Sequence, residues 1–152
     1  MPRRKRNEPN IGPDCPDDDY TYTDPPAWVS AVIERVAQEA GRSIRPKVMW
    51  TIDCEDGLFG MASAPGYDAA FPDGMVWLNE IGFATHTVLH EMAHWLAPPD
   101  ADHGPLFFKA AFPLYLQYGV TFDDWAERED WPDAEGWGMD LEKMWKKCGG
   151  KV

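Results

Sequence analysis

The chain has 152 residues, 44% of them hydrophobic and 26% charged, as expected of one soluble globular domain with its own core. No apolar run reaches the ~20 residues that span a bilayer, and the opening MPRRKRNEPN has no apolar stretch of the kind a secretory signal needs, so a cytoplasmic protein is expected; a monomer is expected as well. The net charge is −12. Four of the 14 basic residues are Arg3, Arg4, Lys5 and Arg6, so the body sets ten cations against 26 acidic groups, which disfavours direct binding of a phosphate backbone.

Residues 1–23 read as an irregular arm, with four prolines, an acidic cluster and little to bury. A single domain is expected over 24–148, with a tail at 149–152. Asp24 is placed to cap a first helix, Pro25 suits its first position and Gly41 its end. Val29, Val32, Ile33, Val36 and Ala40 give that helix one apolar face. KVMWTID (47–53) then alternates as a strand does, Asp56-Gly57 signals a turn, and LFGMAS (58–63) reads as a second strand. Ala69–Phe71 and Met75–Leu78 flank a turn at Pro72-Asp73-Gly74, and together these segments predict a small antiparallel sheet. FATHTVLHEMAHWL (83–96) is an apolar helix stopped by Pro98-Pro99. Gly104-Pro105 opens another, which Pro113 is expected to kink. Two short helices follow, near 122–130 and 137–147. The tryptophans at 125, 131 and 137 fit no single helical face and read as packing anchors. The cysteines (Cys15, Cys54, Cys148) are odd in number and lack a CxxC pair, so neither a disulfide framework nor a thiolate metal site is indicated. Cys54 reads as a buried small hydrophobe.

Three of the four histidines fall within HEMAHWLAPPDADHG (90–104). His90 and His94, one turn apart, share a helical face, so both imidazoles can reach one ion. Glu91 is offset by about 100° around the helix, which takes it away from the ion and toward a water beside it. HExxH on a helix is for that reason the pattern of a zinc hydrolase. A catalytic zinc uses three protein ligands and keeps one position open. His103, just before a helix start, is favoured as the third ligand, with Asp100 and Glu127 as alternatives. His86 extends the stripe but lies ~12 Å from residue 94 along the axis, too far to share the ion.

HEMAH followed by HGPLF resembles the SprT-like metallopeptidases, which include the Spartan-type proteases. The match covers His90, Glu91, His94, His103, Gly104, Pro105 and Phe107 within about 60 residues. The resemblance is to a minimal stand-alone version of the domain, as found in bacteria and their phages. It implies an α+β zincin-like fold: an N-terminal helix, a small sheet, the HExxH helix and further helices. It also implies one catalytic Zn2+ held by His90, His94 and His103, with Glu91 as acid and base.

The expected reaction is hydrolysis of a peptide bond in a protein or peptide substrate. Tyr115, Tyr118 and His86 are candidate stabilisers of the oxyanion. Two other classes fit the same residues: a zinc-binding protein without catalysis, which would have no use for Glu91, and a metal hydrolase with a non-protein substrate.

Overall fold

A computed structural model describes residues 21–52, 60–80, 85–128 and 140–152. The basic arm, Cys15, Cys54, the Asp56-Gly57 turn, Trp131 and Trp137 lie outside them. In chain order the elements are β1 (Thr21–Thr23), α1 (Ala27–Glu39), β2 (Lys47–Ile52), β3 (Gly60–Ser63), β4 (Met75–Asn79), α2 (Thr85–Leu96), α3 (Pro105–Gln117), α4 (Phe122–Arg128) and α5 (Leu141–Lys147). The fold is α+β. Strand β1 falls at the end of the segment expected to be irregular.

The sheet order is β1-β2-β4-β3, and the sheet is mixed. β1 pairs antiparallel with β2 and β3 antiparallel with β4, but β2 and β4 run parallel, with Lys47 opposite Met75 and Thr51 opposite Asn79. The expectation of an antiparallel sheet is therefore corrected at its centre. The cause is the apolarity of β4. All five residues of MVWLN are buried, whereas β3 is half-buried throughout. A strand apolar on both faces gains most from a central place with cover on each side. β4 thus lies between β2 and β3, and β3 falls within the connection between the parallel strands β2 and β4.

The alternation of β4 divides the core. Val76 and Leu78 join the helices in the main cluster, with Val29, Ile33 and Val36 of α1, Leu89 and Met92 of α2, and Phe108 and Phe112 of α3. Met75 and Trp77 face the other way, against Met49, Met61 and Phe71. Trp77 Nε1 there donates to Thr51 Oγ1 at 2.6 Å, so the buried indole keeps a partner. Trp125 and Trp145 are buried and pack on Phe112 at centroid distances of 5.0 and 5.2 Å, which ties α4 and α5 to α3.

The helix ends follow local chemistry, with one correction. Pro26, not Asp24, is the N-cap of α1, and its extended backbone (φ −52°, ψ 145°) leads into a helix that starts two residues later than Pro25. Gly41 takes the left-handed conformation (φ 71°) that ends α1 as expected. Pro113 is on the exposed side of α3, and the helix continues to Gln117. Among the described residues no helix is long and apolar enough to cross a membrane.

Candidate metal centre

Helix α2 is amphipathic in an unusual sense: one side is core and the other a histidine stripe. Val88, Leu89, Met92, Ala93 and Trp95 are buried, while His86, His90 and His94 are half-buried. Trp95 anchors the helix to the turn before β4. Its Nε1 donates to Asp73 O at 2.8 Å, and a Cβ at Gly74 would lie 2.5 Å from its ring, so this contact requires glycine. The helix is thereby fixed at its C-terminal end, beside the loop that carries His103.

That loop is short and internally bonded. Ala101 N donates to Pro98 O at 3.0 Å, and Gly104 N to Ala101 O at 2.8 Å. Asp102 takes the left-handed conformation (φ 44°), which a short polar side chain tolerates better than most and which lets the chain reverse in few residues. Gly104 and Pro105 then start α3, with Pro105 in the first turn, where its missing N–H costs nothing. His103 is held between this turn and the rigid helix start.

The result is a convergence of three imidazoles. Ligand atoms of His90, His94 and His103 all lie within 4.8 Å of one another, and the Nε2 atoms of His94 and His103 are 2.9 Å apart. Two imidazoles on a tetrahedral zinc would have their nitrogens about 3.3 Å apart, given bonds of about 2.0–2.1 Å. The three rings are thus close enough for one metal ion, and a set of neutral nitrogen donors suits zinc. The buried ring of Phe107 backs all three, at centroid distances of 5.0 Å from His90, 4.3 Å from His94 and 5.0 Å from His103.

Asp100 is exposed in the loop and is outside this group. Glu127 is in α4, and its side chain lies outside what the structure describes. Glu91 is buried at the junction with β3, where a Cβ on Gly60 would come within 2.7 Å of its Cγ and 2.9 Å of its Oε1. Sequence reasoning missed this contact. A glycine within a strand, a sign of close approach, was the available signal.

The three candidates for the oxyanion part company. Tyr115 is fully buried and its hydroxyl is 3.3 Å from His90 Nδ1. The His86 ring lies 5.0 Å from that of Tyr115 and 6.1 Å from that of His90. Tyr118 packs instead toward α1, with the Arg35 guanidinium 5.6 Å from its ring centre. Its hydroxyl is buried without a hydrogen-bond partner among the described residues, and burial pushes the phenol up from its ordinary range.

Compared with protein-family models, with curated proteins and with solved structures, the chain matches none of them significantly.

Proposed function

We propose that this protein is a zinc-dependent metallopeptidase of the SprT-like kind. The observation that carries the reading is the meeting of His90, His94 and His103, from a helix and a following helix start, with Glu91 one residue past the first of them. His90, His94 and His103 would hold the ion. When bound, zinc supplies a Lewis acid that acidifies water and polarises a carbonyl.

The chain's own part is proton transfer and positioning. Glu91 accepts a proton from the attacking water as the new carbon–oxygen bond forms. It then delivers that proton to the amine as the carbon–nitrogen bond breaks. Burial against Gly60 restricts the carboxylate to few orientations, which favours a fixed distance to the reacting atoms. A purely structural zinc site would have no need of this carboxylate.

Metal analysis together with Glu91→Gln tests the reading. The purified protein should take up about one zinc per chain, given one motif. It should cleave an unstructured protein such as casein, and lose that activity to a chelator. Glu91→Gln should keep the zinc and lose activity by a factor of about 10²–10⁴. Failure to bind zinc after reconstitution overturns the proposal. So does a Glu91→Gln variant that retains turnover within about tenfold of wild type.

A further inference from the structure

We infer that Tyr115 is a positioning residue of the metal centre: its hydroxyl accepts from His90 Nδ1–H, and this bond commits the ring to present Nε2 to the ion. The inference rests on the metal-centre reading above.

An imidazole has two nitrogens, and a neutral ring carries its proton on only one. For His94 and His103 the choice is visible in their geometry, since their Nε2 atoms are the pair 2.9 Å apart. For His90 the neighbour on the other side is a phenol, whose oxygen can accept from a ring N–H. Tyr115 Oη is 3.3 Å from Nδ1, so a proton held there has an acceptor and Nε2 keeps its lone pair for the cluster. All three rings then offer the same nitrogen.

The position of Tyr115 suits this role and no contact with substrate. It is fully buried on α3, with its ring against His86 at 5.0 Å and Phe112 at 6.4 Å, and its backbone carbonyl accepts from Val120 N at 2.8 Å. A phenol clamped in this way cannot swing into an open cleft, but it holds one ring nitrogen at a fixed place. A hydrogen-bond partner on the distal nitrogen of a ligating histidine typically accounts for 10- to 100-fold in metal affinity. It does so by fixing the tautomer and by cutting the freedom the ring must lose on binding.

The experiment has two arms. In the first, full-length wild type and Tyr115→Phe are titrated with zinc against a competing chelator. The variant keeps the ring and removes only the hydroxyl. It should bind zinc about 10- to 100-fold more weakly while melting within a few degrees of wild type in the metal-free state. In the second, long-range proton–nitrogen NMR of the zinc-loaded wild type should find the His90 proton on Nδ1 and the metal on Nε2. This arm needs no variant and decides the matter if Tyr115→Phe does not fold. Zinc binding by wild type with unchanged affinity in Tyr115→Phe, or a zinc-loaded His90 with its proton on Nε2, overturns this inference alone. A wild type that takes up no zinc overturns the proposed function and this inference with it.

Discussion

Gly60 and Glu91 meet where β3 passes α2, and the contact leaves no room for a side chain on the strand. A Cβ at position 60 would lie 2.7 Å from Glu91 Cγ and 3.0 Å from its Cδ. The clash falls on the stem of the carboxylate, so Glu91 must turn or the strand must move. Gly60→Ala should therefore displace the carboxylate and leave the imidazoles in place. Displacing a catalytic group by about 1 Å can cost about 10²-fold in rate. The expected outcome is zinc affinity close to wild type with peptide cleavage reduced roughly 10- to 100-fold. Measuring both on one preparation separates displacement from unfolding. Full activity in Gly60→Ala would show that the position of Glu91 is not critical.

His103 and Asp100 share one loop but differ in how they are held. His103 is next to Gly104 at the start of α3 and its Nε2 approaches that of His94, whereas Asp100 is exposed and outside the cluster. His103→Ala should weaken zinc binding by about two orders of magnitude or more, because a three-ligand site cannot lose one donor cheaply. Asp100→Ala should change neither metal content nor cleavage. A chelator titration of each variant is sufficient. Loss of metal in Asp100→Ala with retention in His103→Ala would move the third ligand to the carboxylate.

The elements that a sequence specifies by local rules were legible here. The end of α1 at Gly41, the alternation of β2 and the shared face of His90 and His94 follow from backbone geometry over a few residues. The strand order did not, because it depends on which strand gains most from burial on both faces. The turn signal at Asp56-Gly57 pointed to a β2–β3 hairpin, while MVWLN, buried on both sides, occupies the position between those strands. Asp24 was expected to cap α1 with Pro25 at its first position, yet the helix begins after Pro26, whose fixed backbone angle leads the chain in without a side-chain bond. Tyr115 and Tyr118 were equivalent candidates three residues apart on one helix. Only the tertiary packing assigns one to His90 of α2 and the other to Arg35 of α1.

That division gives the last prediction. Tyr118 buries a hydroxyl with no hydrogen-bond partner among the described residues, and an unpaired buried polar group costs about 1–3 kcal/mol. Burial also raises the phenol's pKa, so ionisation is disfavoured and does not relieve the unpaired hydroxyl. Tyr118→Phe removes that atom and keeps the ring beside Arg35. Part of the gain is offset by a cavity the size of one oxygen and by a slightly weaker contact with the guanidinium. The variant should be as stable as wild type or more so, by up to about 1 kcal/mol in urea denaturation, with unaltered cleavage. A drop in activity of more than about tenfold at undiminished stability would mean that the hydroxyl reaches the substrate, returning Tyr118 to the oxyanion role.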